Sequence, residues 1–277
     1  MSGPISYFLA FALYATLGAY YWKTVWRAVG ETLGHEPGAP AAWARWAILA
    51  PLTLHGWLLY GSLFPGGGLH LGVGNALSAI SGLTVLIYWL ASFRYNLEGL
   101  QTLVLPGAAL LLLMPAILPE PHGLAHTELP VFTVHLLISL LAYSLFTIAA
   151  LHALLMALAE RRLHSHTLSK VLGMLPPLLT MEHLLFRIIT MGFVLLTLSI
   201  ASGIIFSEEL FGKPLQFTHK SLFAIVSWLT FGALLGGRKI YGWRGRTAII
   251  WTLSGFALLV LAYLGSRFVL EVILQRP

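Results

Sequence analysis

Long apolar runs of about twenty residues, each closed by glycine, proline or a knot of charge, follow one another along this chain and leave no room for a soluble domain. Such a run crosses roughly 30 Å of hydrocarbon as an α-helix, the conformation that satisfies its own backbone hydrogen bonds where water is absent. Of 277 residues, 58% are hydrophobic and 9% charged, which lies outside the balance of water-soluble chains. The expected fold class is therefore all-α: a polytopic membrane helix bundle of about eight transmembrane helices, one integral membrane domain over 1–277. The spans are predicted at about 4–22, 46–64, 71–92, 100–118, 130–158, 187–206, 219–237 and 247–270. Breakers mark the junctions: Pro65-Gly66-Gly67-Gly68, Pro119-Glu120-Pro121, Pro176-Pro177, Gly212-Lys213-Pro214 and Gly236-Gly237.

Charge then orients the bundle. Lys23, Arg27 and Arg45 follow the first span, Arg94 the third, Arg161, Arg162, Lys170 and Arg187 the fifth, and Arg238, Lys239, Arg244 and Arg246 the seventh. The intervening loops hold Glu120, Glu128, Glu208 and Glu209 against one Lys213. By the positive-inside rule the basic loops face the cytoplasm of a bacterial inner membrane, and both termini lie outside. The run from Pro4 to Trp22 has its charges after it, which predicts an uncleaved first span. Tyr20, Tyr21, Trp22, Trp26, Trp43 and Trp46 fit an interfacial aromatic belt. The fifth span exceeds the bilayer and is expected to tilt or project. The net charge of +6 sits in short loops and is read as a topology signal, with no nucleic-acid partner implied; the lipid bilayer is the expected partner.

The chain has no cysteine, which excludes disulfides, thiolate metal sites and covalent haem attachment through CxxCH. No Walker loop, HExxH, GxSxG or dinucleotide fingerprint occurs, and the spans hold almost no carboxylate for an ion pump. The chain is not expected to be an enzyme. Eleven histidines remain, and imidazole is a common haem and metal ligand. His135, near the outer end of the fifth span, and His219, opening the seventh, are expected at one depth, where two imidazoles could hold an iron. Phe206, Leu210, Phe211, Leu215 and Phe217 would offer an apolar bed for a macrocycle. Hydrogen bonding of each His at a helix end is the competing reading. His55, mid-span, is either a ligand or relay, or a neutral imidazole bonded to a neighbouring helix. His152 lies about 26 Å along the helix from His135 and cannot share its metal. His122 and His126, flanked by Glu120 and Glu128, have metal-ligand spacing, but Pro121 and Gly123 interrupt the helix this would need.

Four stretches carry a resemblance: "VHLLISLLAYSLFTIAALHALL" from Val134, "FRIITMGFVLLTLSIASG" from Phe186 to Gly203, "YGWRGR" from Tyr241 to Arg246 and "LAYLGSRF" from Leu261 to Phe268. Together they resemble the CcsA/CcmC cytochrome c assembly superfamily, most closely its HemX/YpjD-like inner-membrane branch, over about residues 40–275. The resemblance implies a membrane helix bundle that handles non-covalent haem at an outer, tryptophan-rich loop between histidines. His135 matches the first outer histidine, Gly212 the loop glycine and Lys220 the lysine after the motif. Leu215, Phe217 and Thr218 stand where the family has Trp, Trp and Asp, and no histidine follows the last span between Gly265 and Val272. His219 could substitute for it. The expected function is haem binding or handling related to cytochrome c assembly, with His135, His219, His55, Phe211 and Phe217 as cofactor-site candidates and His135 and His219 on the iron. The alternatives are a non-catalytic subunit or regulator that has lost haem and uses Arg238–Arg246 for another membrane protein or anionic lipid, and a metal or ion transporter.

Overall fold

The computed structural model describes residues 4–26, 42–65, 69–97, 99–118, 130–163, 177–206 and 219–262. Among these residues the regular structure is helical throughout: α1 (Pro4–Trp26), α2 (Ala42–Ala47), α3 (Leu49–Leu63), α4 (Val73–Ala91), α5 (Gln101–Leu111), α6 (Met114–Ile117), α7 (Pro130–Leu163), α8 (Leu178–Ile205), α9 (His219–Tyr241) and α10 (Gly245–Val260). The protein is an all-α membrane helix bundle. Four stretches among the described residues combine bilayer length with high hydropathy, namely Val73–Ala91, Pro130–Arg161, Leu178–Ile205 and Lys220–Tyr241. Gln101–Ile117 and Gly245–Val260 are shorter apolar helices. Val194, Leu198, Ile205, Leu222 and Leu229 face outward, as suits a lipid-facing surface and not a wet one.

Two packing groups make up the bundle. α1 packs on α5 and α3, and α4 closes that group against α3, α5 and α6. The second group is α7, α8, α9 and α10, joined to the first through α4 and α7. Cross-helix pairs fix the directions in this second group. Residues 135 and 202, 139 and 199, and 152 and 181 meet across α7 and α8; residues 228 and 197, and 238 and 182, meet across α9 and α8. Sequence number falls on one helix as it rises on the other, so both pairs are antiparallel.

At the centre of the second group Phe146 and Phe231 lie stacked, with centroids 3.9 Å apart and planes 20° from parallel. Glycines back both rings. A Cβ on Gly192 would fall 3.2 Å from Phe146 Cζ, and one on Gly255 would fall 2.9 Å from Phe231 Cζ. Four helices thus contribute to one stack, and small residues let their backbones approach, as in membrane helix packing generally. Hydroxyls are absorbed locally: Thr197 donates to the Phe193 carbonyl at 2.7 Å and Thr147 to the Tyr143 carbonyl at 2.8 Å. Others tie helices together, Tyr143 to the Leu259 carbonyl at 3.0 Å and Ser227 to the Gly255 carbonyl at 2.8 Å.

The helices depart from the predicted spans where proline or packing intervenes. The second apolar run is divided at Ile48 into α2 and α3, because Pro51 has no N–H for the Ala47 carbonyl and its ring crowds that group. The fourth is divided into α5 and α6; Pro115 removes the donor that Leu111 would need. α8 begins at Leu178, ahead of the predicted 187, since Glu182 and Arg187 find partners and do not end the helix. α9 runs through Gly236-Gly237 to Tyr241, although this pair reads as a breaker. Gly237 has a packing reason: a Cβ there would collide with the Trp243 ring. α7 has 34 residues, about 50 Å at the helical rise, longer than the bilayer needs.

Gly255→Val should overpack the stack and lower stability by about 1–3 kcal/mol, read as the unfolding midpoint of the purified protein in micelles. Gly236→Val, where a Cβ would meet nothing within 4 Å, should leave it nearly unchanged.

Candidate functional site

His135 sits one turn into α7, half-buried, and its Nδ1 lies 2.8 Å from Ser202 Oγ on α8. Ser202 Oγ is also 3.1 Å from the Ser199 carbonyl. A hydroxyl has one proton, so both contacts are hydrogen bonds only if Ser202 donates to that carbonyl and His135 donates from Nδ1. That tautomer leaves the lone pair on Nε2. A second serine pair continues the polar seam: Ser139 donates to the His135 carbonyl at 2.7 Å and its oxygen is 2.7 Å from Ser199 Oγ. A Cβ on Gly203 would lie 3.5 Å from His135 Cε1, so α8 meets the imidazole with little bulk. Lys220, in the first turn of α9, stands near enough to act electrostatically on His135. The beginnings of α7 and α9 therefore come to the same end of the bundle. His219 opens α9, its side chain lies outside the described residues, and Phe211 and Phe217 lie wholly outside them.

His55 belongs to a different place. It is 1% exposed, with Nδ1 3.3 Å from the Tyr14 hydroxyl on α1 and Nε2 2.9 Å from Ser78 Oγ on α4. Tyr14 meets the ring edge-on as well, with centroids 5.8 Å apart. Both ring nitrogens have protein partners, and the imidazole ties α3 to its two neighbours. A ligand role would require one of these bonds to be exchanged. His152, also buried, faces the Met181 carbonyl through Nε2 at 2.9 Å. Among the described residues no three His, Cys, Asp or Glu side chains converge as a metal cluster.

The other end of α8 holds a site that the loop charges alone did not reveal. Glu182, its side chain 7% exposed, accepts from Arg238 of α9 and from Arg244 on the same oxygen, Oε1, the latter at 3.1 Å through Nε. Its other oxygen accepts the Gly245 N–H at 3.3 Å, at the start of α10. The Arg238 guanidinium also lies over the Phe186 ring, 4.3 Å from its centroid. Two arginines that read as a free basic surface thus engage one buried carboxylate, locking α8 to the α9–α10 turn. The available signal was Glu182 itself, an acid beside an apolar run on the same predicted side as those arginines.

A family profile described as "Cytochrome C assembly protein" matches residues 45–274. The chain belongs to this family. "Inner membrane protein YpjD" of Escherichia coli strain K12 is 32% identical over 237 residues, covering 83% of this chain and 89% of that protein. "Cytochrome c biogenesis protein CcsA" of Synechocystis sp. is 37% identical over 86 residues, 31% of this chain and 26% of that protein. The same-named protein of Trichormus variabilis is 37% identical over 86 residues, 24% of its length. With these relatives and its apolar helices, the family member described here is a multi-pass inner-membrane protein.

Glu182→Gln should destabilise the protein by about 2 kcal/mol, because it leaves Arg238 without its charged acceptor in a partly dry site. Arg244→Gln, at a side chain 56% exposed, should cost about 0.5 kcal/mol or less. Denaturant unfolding in micelles measures both.

Proposed function

We propose that this protein binds haem non-covalently at the end of the bundle where α7 and α9 begin, and handles it as a carrier in cytochrome c assembly, without enzymatic chemistry of its own. The observation that carries the reading is the placement of His135: Ser202 on α8 holds Nδ1 at 2.8 Å, which orients the ring at the end of the bundle where α7 and α9 begin. A neutral imidazole oriented by a hydrogen bond on its second nitrogen is the usual form of a histidine ligand. Haem, when bound, would supply a redox-active iron whose potential follows its ligands and the polarity around it. His135 would hold the iron, with His219, one residue before Lys220, as the second candidate ligand. Phe211 and Phe217 are assigned as apolar cover in a loop where the family's tryptophans are thinned. His55 is left out of the ligand set, since Tyr14 and Ser78 already occupy its nitrogens.

Family membership supports this reading, and the biogenesis proteins that share an 86-residue match supply the process. The loop charges support an outward-facing haem end, on the side of both termini. The alternative of a haem-free subunit using Arg238–Arg246 as a basic surface is weakened, because Arg238 and Arg244 are engaged by Glu182.

Purified protein supplied with haem should show a Soret band that His135→Ala diminishes or shifts. Ser202→Ala should retain a band while weakening haem affinity about tenfold, the scale of losing an orienting partner of a ligand. A colourless wild-type protein favours the subunit reading, and a band indifferent to both His135→Ala and His219→Ala sinks the ligand assignment.

For orientation, alkaline phosphatase fused after Glu120 or Glu209 should be active, and fused after Arg162 or Arg246 inactive. The reverse pattern would place the haem end in the cytoplasm.

A further inference from the structure

At the basic end of the bundle, away from His135, a cavity of about 410 Å³ opens between the segment after α4 and the first three turns of α8. Tyr95, Asn96, Thr180, His183, Leu184 and Arg187 line it. Thr180, His183, Leu184 and Arg187 follow the i, i+3, i+4, i+7 spacing of one helix face. Five of the six lining side chains carry hydrogen-bond donors, one of them a permanent cation, and none is acidic. Glu182, the carboxylate next in sequence to His183, is turned to Arg238 and Arg244 on another face of α8. Arg187 is positioned: Nη1 donates to the Tyr95 hydroxyl at 3.2 Å, and its guanidinium carbon lies 5.5 Å from the centre of that ring. The remaining N–H groups of the fork exceed what one phenol can accept.

What lies beyond the cavity identifies its occupant. From Arg187 the same face of α8 continues toward the membrane centre through Met191, Val194 and Leu198, 56%, 53% and 49% exposed. A recess bordered by donor-bearing side chains thus gives onto an apolar lane along one helix, a division of chemistry that matches a phospholipid. A soluble phosphate compound would have no use for the lane, and a neutral lipid none for the arginine. We propose that this recess is a binding site for an anionic phospholipid, its phosphodiester held by Arg187 with Thr180 and His183, and an acyl chain lying along Met191, Val194 and Leu198. Basic recesses at the cytoplasmic ends of membrane helices recognise lipid headgroups by this combination of charge and position. The site is independent of haem: its loss leaves the His135 assignment untouched, and the reverse also holds.

Native mass spectrometry of the full-length protein in micelles tests it, with phosphatidylglycerol and phosphatidylcholine as probes. Wild type should retain phosphatidylglycerol in preference. Arg187→Gln should weaken that retention about tenfold, the effect of removing one charged hydrogen-bond partner. Arg187→Lys should fall between the two. Arg246→Gln, an exposed arginine at the same end, should change retention less than twofold. Should Arg187→Gln unfold, His183→Gln at an exposed position carries the same test, with an expected loss of about threefold. Equal retention of the two lipids overturns the proposal. So does an equal loss in Arg187→Gln and Arg246→Gln, which would mean diffuse surface charge. Displacement of phosphatidylglycerol by millimolar inorganic phosphate also overturns it, as a soluble-anion site.

Discussion

The stack of Phe146 on Phe231, backed by Gly192 and Gly255, sets the spacing on which the C-terminal half depends. Lipid offers little hydrophobic drive for helices to associate, so close packing and cross-helix hydrogen bonds must hold them together. A ring pair at 3.9 Å between two glycines draws α7, α8, α9 and α10 within reach of one another. That approach lets Ser227 reach the Gly255 carbonyl and Trp228 reach Thr197 at 2.8 Å each. It also sets the antiparallel register of α7 and α8, and register decides which residues face His135. Slide α8 by one turn and Ser202 no longer meets the imidazole.

The membrane character and the helix order were legible because apolar length is a one-dimensional signal. The interruptions at Ile48 and before Met114 were legible in principle too, since a proline four residues on from a carbonyl marks where the ladder fails, but hydropathy averages across them. Other features depend on partners far away in sequence. Gly237 reads as a helix stop until Trp243 is seen lying over it. Glu182 and Arg187 read as a loop until Arg238, Arg244 and Tyr95 are seen to receive them.

The candidate site divides in the same way. His135 could be picked out by its depth on a predicted span, and Lys220 by its match to the lysine that the resemblance implies after the loop motif. The serines around His135 could not. Ser139, Ser199 and Ser202 are ordinary membrane-helix residues until the α7–α8 register brings positions 135 and 202 together. His55 shows the converse: its burial was expected, yet a buried imidazole is equally at home as a ligand or as a knot between helices. Tyr14 and Ser78, one on each ring nitrogen, favour the knot.

α8 joins what the two ends do. Its 28 residues carry Ser202 beside His135 at one end, and Glu182 and Arg187 at the other. Helix interiors are stiff along the axis because every backbone bond would have to yield together, so a shift of α8 against α7 at one end is felt at the other. Glu182 resists such a shift by gripping the α9–α10 turn through Arg238, Arg244 and the Gly245 N–H. The buried carboxylate thus fixes the end of α8 opposite to the one that carries Ser202. A bundle that held a planar ligand at the His135 end, as proposed, would gain from anchoring α8 at the opposite end, where charge can be satisfied without entering the hydrocarbon.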